Sequence, residues 1–443
     1  MKSALNARGE MYYPDLALCL PRILLPAAAV KLPVWPVVAC DQYTSEPEYW
    51  QKVEIAIGDF PSTLQLIYPE VYLDAGDRAL RIARIHQAMQ AYLADGVVKE
   101  LPPGMMLVER DTGYVKQRRG VVLALDLEAY DFRPGSRSLI RATEATVPAR
   151  LPPRVAIREG AALELSHILM LVDDRGHPLM DDLFAGCGTP DYAVELLAGG
   201  GALRGWQVGA KDNRVEQFIA KLAAIQAQQS GDAPILIAVG DGNHSFAAAK
   251  SWWSRLKAQG VAKDHPARWA LVELLSLYDQ GLRFEPIHRL VGLAEEALLT
   301  VLPDLLGVAT EQIEIQRSGD SSALSLSLAA VRQKLAFGLV GRHGAYLVTV
   351  SGSPAKLAVE LVEGAMDRLR QRQPAPDLDY IHGLESTWRL AQRPGWSALI
   401  LPALSRENLF PAVLARGSLP RKSFSLGEAD EKRYYMEARQ IIL

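Results

Sequence analysis

An apolar run, Pro234-Ile235-Leu236-Ile237-Ala238-Val239, enters Gly240-Asp241-Gly242-Asn243-His244-Ser245, and an alanine-rich stretch of helical character follows to Gly260. A strand this apolar needs a covering layer, so the segment already points to an α/β architecture. Gly240 and Gly242 permit positive φ and let another group approach the backbone. The first amides of the following helix lack intrahelical acceptors and carry the positive end of its dipole, which suits a phosphate or carboxylate. Asp241 offers the hard oxygens that Mg²⁺ prefers, and His244 can donate to a phosphoryl oxygen or move a proton. The same residues have a plain structural use: Asp241 or Asn243 as helix cap, His244 as a hydrogen-bonded packing residue. No Gly-Lys-Ser/Thr follows, so the turn is not a Walker A loop, and it lacks the third glycine of a dinucleotide fingerprint.

Elsewhere in the 443 residues, apolar bursts alternate with helical periodicity. The spacing predicts strands over 34–40, 62–68, 105–110, 120–127, 138–147, 167–173 and 268–278, and helices over 45–57, 77–95, 212–228 and 245–260. Ser45 stands three residues before Glu48, the spacing of a capping box. Short strands crowded before residue 175 favour antiparallel pairing over a βαβ series. After Arg289 the pattern predicts a helix over 290–306, a hairpin over 334–350 turned at Arg342-His343-Gly344, a helix over 355–372 and a strand over 396–401. The expected fold is α/β of the α+β type: a central mixed, partly antiparallel sheet with flanking helices, plus a C-terminal α/β portion. The expected division is 1–290, carrying the phosphate site, and 291–443, able to fold back onto the first.

Hydrophobic residues make up 49% of the chain and charged residues 22%, enough to build a core without disulfides or a structural metal. Cys19, Cys40 and Cys187 are widely spaced and form no CxxC pair, which argues against zinc or dithiol chemistry and fits a reducing compartment. The first ten residues carry no apolar signal core, and residues 16–38 are broken by Pro21, Pro26, Pro33 and Pro36. A cytoplasmic location is therefore expected, with no membrane partner. A net charge of -3 speaks against a nucleic-acid partner. HExxH and GxSxG hydrolase motifs are absent.

Four further clusters carry polar chemistry. Asp41 to Glu48 follows the strand expected at 34–40, where α/β sites gather, and contains Asp41 and Glu46. Arg141-Ala142-Thr143-Glu144-Ala145-Thr146 interrupts an apolar stretch, although Arg141 and Glu144 also suit a surface ion pair. Pro286-Ile287-His288-Arg289 and Pro420-Arg421-Lys422-Ser423, read singly, suit exposed loops.

In order along the chain, these segments resemble the domain of unknown function numbered 1015, a family that includes free L-serine kinases and is related to the ParB/sulfiredoxin nucleotide-binding fold. Its Asp-Gly-His-His-Arg run is similar to Asp241-Gly242-Asn243-His244-Ser245, with Asn243 for the first histidine and Ser245 for the arginine. Its Arg-x-His-Glu-x-Thr run is similar to Arg141 to Thr146, its Pro-Thr-His-Arg run to Pro286 to Arg289, and its Pro-x-Lys-Ser run to Pro420 to Ser423. The resemblance spans residues 20–425. It implies a ParB/sulfiredoxin-like core and a kinase that takes Mg²⁺ with ATP or ADP and phosphorylates a hydroxyl such as that of serine. By that resemblance Gly240 to Ser245 hold phosphate and Asp241 the metal. Arg141, Glu144, His288, Arg289 and Lys422 line the nucleotide site, Asp41 or Glu46 takes the hydroxyl proton, and His244 assists. The alternative it leaves open is a ParB-like regulatory module that binds nucleotide without turnover. A sulfiredoxin-like reductase is set aside because the signature turn holds no cysteine. The oligomeric state is left open.

Overall fold

Residues 2–133, 135–176, 178–229 and 233–442 are described by the computed structural model. They form two compact units, Met1–Arg283 with Phe410–Ser418 and Leu426–Leu443, and Phe284–Leu409 with Leu419–Ser425. Among the described residues no helix is long and apolar enough to cross a membrane.

The first unit is built on a mixed sheet, as the crowded short strands predict. Arg118–Asp126 pairs antiparallel with Trp269–Ser276, which runs parallel to Leu169–Val172. That strand is antiparallel to Ile237–Asp241, which lies parallel to Ile140–Ala142. Ile237, Ala238 and Val239 are fully buried, as a strand covered on both faces requires. Two helices share its core. Asn213–Gln228 is capped by the Asp212 carboxylate on the Arg214 amide and contributes Val215, Phe218 and Leu222. Asn243–Ala258 contributes Phe246, Ala247, Ala249 and Trp253. Burying a side chain such as Phe246 is worth about 1.5–3 kcal/mol.

A second, four-stranded sheet explains why this unit needs the chain's last residues. Ala438–Gln440 lies between Leu163–Leu165 and Leu24–Pro26, with Val98–Glu100 at the edge. The returning segment is pinned by charge. Arg433 pairs with Glu273 and with Glu437, the latter at 2.5 Å, and donates through Nε to the Ser166 carbonyl at 2.7 Å. Burial opposes the Arg433 charge, but the two carboxylates outweigh it and raise the pKa.

In the second unit Ile313–Ser318, Ala345–Val350, Leu335–Gly341, Ser397–Ile400, Phe284–Val291 and Leu378–His382 form an antiparallel sheet in that order. The hairpin predicted over 334–350 is present, closed by the Gly341 amide on the Gly344 carbonyl.

Several elements differ from expectation. Residues 34–40 make a 3₁₀ turn, Leu32–Val34, and a single bridge from Val38 to Tyr434, because Pro33 and Pro36 remove donors that a strand needs. Residues 62–68 contain the 3₁₀ helix Thr63–Leu66, for which Ser62 and Gln65 form a capping box. The helix expected from Ser45 begins at Pro47 with Glu46 as N-cap and no side-chain cap, since proline suits the first helical position. Only Ile140–Ala142 of 138–147 is strand. Residues 284–291 are strand, and the helix placed at 290–306 is Glu295–Leu306. Gly292 separates the two, and the apolar run at 287–291 fits a buried strand as well as a helix.

Arg433→Ala leaves Glu273 and Glu437 buried without a counter-charge, and an uncompensated buried charge costs about 3–5 kcal/mol. Urea denaturation followed by tryptophan fluorescence is expected to register that loss. A change below about 1 kcal/mol, the size of a surface pair, would refute the anchoring role.

Candidate functional site

The signature turn sits where Ile237–Asp241 ends and the helix Asn243–Ala258 begins. Gly242 is at φ +79, left-handed, and a Cβ there would lie 3.1 Å from Ile168 Cγ1, so both conformation and space demand glycine. Gly240 has a different reason. A Cβ on it would meet Leu426 Cδ1 at 2.8 Å and Leu171 Cγ at 2.9 Å, so the space beside it is filled by apolar packing.

Asp241 is half-buried and doubly engaged. Its Oδ1 accepts from the Gly242 amide at 2.8 Å, and its Oδ2 lies 3.0 Å from Lys432 Nζ. Burial works against the carboxylate, yet Lys432 and the Gly242 amide overcome it and hold the carboxyl below its usual range. Lys432 is itself delivered by two buried arginines. Arg110 donates to the carbonyls of Lys432 and Asp430, each at 2.8 Å, and Arg118 to that of Glu431 at 2.8 Å.

A second chain of contacts runs through His167. Its Nε2 is 3.0 Å from Ser245 Oγ and 3.9 Å from Asp41 Oδ2, and its Nδ1 is 2.7 Å from the Tyr435 hydroxyl. Burial pushes the Tyr435 phenol well up, so it keeps its proton. The Cys40 amide donates to the same oxygen at 3.2 Å. Where the phenol donates to Nδ1, a neutral imidazole carries its proton on Nε2, facing Asp41 and Ser245. Beside this group opens a cavity of about 130 Å³, lined at its polar end by His167, Ser245, Tyr435, Glu70 and Arg154. Arg154 Nη2 bonds both Glu70 oxygens at 2.5 Å. The Glu70 carboxyl is raised, chiefly by burial, against the pull of Arg154.

The structure thus brings Asp41, Asp241 and Ser245 together and adds His167, Lys432 and Tyr435, which the motifs had not indicated. Glu46 is exposed at the start of the helix Pro47–Ile57. His244 Nε2 accepts from the Val147 amide at 3.2 Å, a bond that ties the loop after Thr143 to the helix start. Asn243 reaches Thr143 Oγ1 only at 3.5 Å, and its buried Oδ1 has no hydrogen-bond partner among the described residues. Glu144 is half-buried in that loop. Arg141 is buried and points to the amino end of the signature strand, where it donates to the carbonyls of Ser138 at 2.9 Å and Ala233 at 2.5 Å. His288, Arg289 and Lys422 belong to the second unit. His288 Nδ1 accepts from the Leu401 amide at 3.1 Å, Arg289 is fully buried against Glu363 at 3.1 Å, and Lys422 is exposed.

Residues 24–372 match the family model described as "Protein of unknown function (DUF1015)". No curated protein matches the chain. Among solved structures it is similar to a free serine kinase in complex with AMP, at 12% identity over 73% of this chain and 92% of that one, TM-score 0.37. It is similar to a conserved hypothetical protein from Pyrococcus furiosus at 12% identity, 71% and 90% coverage and TM-score 0.34. A third is SbnI with C-terminal truncation from Staphylococcus aureus, at 10% identity, 69% and 82% coverage and TM-score 0.33.

The buried His288 provides a pH test of the second unit. Burial, then Arg289 and His382, lower its pKa from 6.5 to about 4. Between those values the unfolded chain binds a proton that the folded unit refuses, so stability falls as pH drops from about 6.5 and levels off below about 4. At pH 4.5 the parent should have lost roughly 2–3 kcal/mol more than His288→Gln, relative to pH 7.5. Equal pH dependence in the two proteins, measured by denaturant midpoints, would contradict it.

Proposed function

Since the chain belongs to the DUF1015 family, whose model covers most of its length, we propose that the cleft around Asp41, His167, Ser245, Asp241 and Lys432 is the centre of a small-molecule phosphotransferase. The reaction moves a phosphoryl group from ATP or ADP to a hydroxyl, such as that of serine. The observation that carries this reading is the double contact of His167 Nε2, with Ser245 at the helix start and with Asp41 across the cleft. It puts a candidate base and an anion-favouring helix terminus on one imidazole nitrogen.

In this mechanism the acceptor hydroxyl enters the cavity beside His167, and Asp41 takes its proton. His167, fixed by Tyr435, keeps Nε2–H turned toward the reacting oxygen and positions the base. Phosphate oxygens lie against the helix start and Ser245 Oγ, and Lys432 supplies the cationic charge that Ser245 lacks. Phosphoryl transfer asks mainly for such positioning and charge neutralisation. Mg²⁺ usually binds through one or two carboxylates plus substrate phosphates. Asp241 fits one such ligand: each of its oxygens has one partner and retains a second lone pair. When bound, the ion neutralises phosphate charge. The cavity of about 130 Å³ has room for a small acceptor.

Incubation with Mg²⁺, ATP or ADP and an amino-acid mixture is expected to yield a new phosphorylated species by mass spectrometry. Asp41→Asn should lower turnover by about 10²–10⁴-fold with an unchanged melting profile. Lys432→Met should chiefly raise KM for the nucleotide. Nucleotide binding without any product would favour the regulatory module instead, and an Asp41→Asn enzyme of parental rate would exclude Asp41 as base.

A further inference from the structure

A second cavity lies behind the first. It has a volume of about 350 Å³ and is bordered by Glu54, Ile57, Leu64, Tyr72, Arg81 and Ile85, between the helices Pro47–Ile57 and Arg78–Ala94. Ile67 and Tyr68 line both cavities. They are therefore the partition between the inner space of about 130 Å³ and the outer one of about 350 Å³. The first cavity is lined by apolar residues, among them Leu66, Met89 and Ile157, by the charged Glu70, Arg154, Arg158 and Glu164, and by His167, Ser245 and Tyr435.

The partition is held at both ends. Upstream, Ser62 Oγ and Thr63 Oγ1 donate to the Trp35 carbonyl at 3.0 and 2.9 Å. Downstream, the Glu70 amide donates to the Cys40 carbonyl at 2.7 Å, one residue from Asp41. The Tyr68 hydroxyl donates to the Tyr72 carbonyl at 2.9 Å, which fixes the ring. Both Ile67 and Tyr68 are buried. A wall tied so closely to the Asp41 segment keeps a constant distance from the reacting end.

We propose that Ile67 and Tyr68 are the length gauge of this cleft, limiting its ligand to a hydroxyl compound with a short aliphatic portion. This rests on the phosphotransferase reading for the identity of the polar end, but the partition itself is a matter of volume. A ligand that places its hydroxyl at His167 runs its other end into Ile67. An added methylene then meets the Ile67 side chain, and one methylene is typically worth about tenfold or more in selectivity. Removing the Ile67 side chain joins the two cavities, and the longer ligand then gains apolar contact.

Two measurements on parent, Ile67→Val and Ile67→Ala separate the parts. The first is kcat/KM for L-serine, L-homoserine and 5-hydroxynorvaline. Ile67→Ala should shift the ratio toward the longest acceptor by about tenfold or more, with Ile67→Val between it and the parent. The second, independent of activity, is xenon bound in crystals under pressure. Xenon should fill a continuous path between the two spaces in Ile67→Ala and a broken one in the parent. Equal effects on all three acceptors, or an unbroken xenon path in the parent, would overturn the gauge. If no acceptor is phosphorylated by any of the proteins, the phosphotransferase reading fails, while the xenon comparison still decides the partition. Should Ile67→Ala not fold, Ile67→Val carries both measurements with smaller shifts.

Discussion

A guanidinium removed from water must find its counter-charges within the protein, and Arg433 finds two, Glu273 and Glu437. The first unit depends on that requirement. Residue 433 can be buried only where Trp269–Ser276 presents Glu273, and that choice places its neighbours on either side. Lys432 falls on Asp241, and Tyr435 on His167. The backbone around Arg433 also receives the amino-terminal half of the site. The Ala39 amide donates to the Arg433 carbonyl at 2.9 Å and the Tyr435 amide to the Val37 carbonyl at 2.9 Å, which carries Cys40 and Asp41 to the cleft. Residues nearly four hundred positions apart are thus set in register by one desolvated charge and its hydrogen bonds.

Much of this was legible in local pattern. The signature strand, turn and helix lie at the predicted place, and the glycine at 242 is needed for its positive φ as the motif suggested. The mixed sheet followed from strand spacing. What local pattern misjudged were segments whose hydrogen bonds are not strand bonds. Residues 34–40 are apolar and read as strand, but their prolines leave a turn and one bridge. Residues 62–68 carried a Ser-x-x-Gln capping signal that outweighed the apolar run. In both cases backbone chemistry decided over hydrophobicity.

The site was legible only in halves. Asp41, Asp241 and Ser245 stood out because each follows or opens a regular element. His167, Lys432 and Tyr435 belong to none of the motifs: His167 reads only as the first residue of a strand, and the other two lie in a tail to which no pattern draws notice. Their role arises from tertiary pairing, which spacing cannot reveal. A cue was present in composition. Lys432, Arg433 and Arg439 are interleaved with Tyr434, Tyr435, Met436 and Ala438, an unusually apolar setting for a surface tail. Cations among apolar residues are buried only when paired, so carboxylates such as Glu164 and Glu273 were the partners to seek.

Lys432 also bears on the departure at residue 245, where serine stands in place of arginine. An arginine clamp gives a phosphate a planar, bidentate donor, whereas a serine gives one neutral hydroxyl. The structure has a cation nearby from another part of the chain, but it is not idle: Lys432 already neutralises Asp241. With Asp41 across the cleft, the charges of the resting site are close to balanced or slightly negative, which is unfavourable to a bare polyphosphate. The helix start offers only about 0.3–1 kcal/mol for a nearby charge, against about 8 kcal/mol for micromolar binding. An anion therefore has to arrive with its own cation, or draw Lys432 from Asp241 as it binds. Either route frees a charge only when ligand is present. In the proposed phosphotransferase, the Lys432–Asp241 pair would stabilise the empty fold and, in the same geometry, make anion binding conditional on a partner cation.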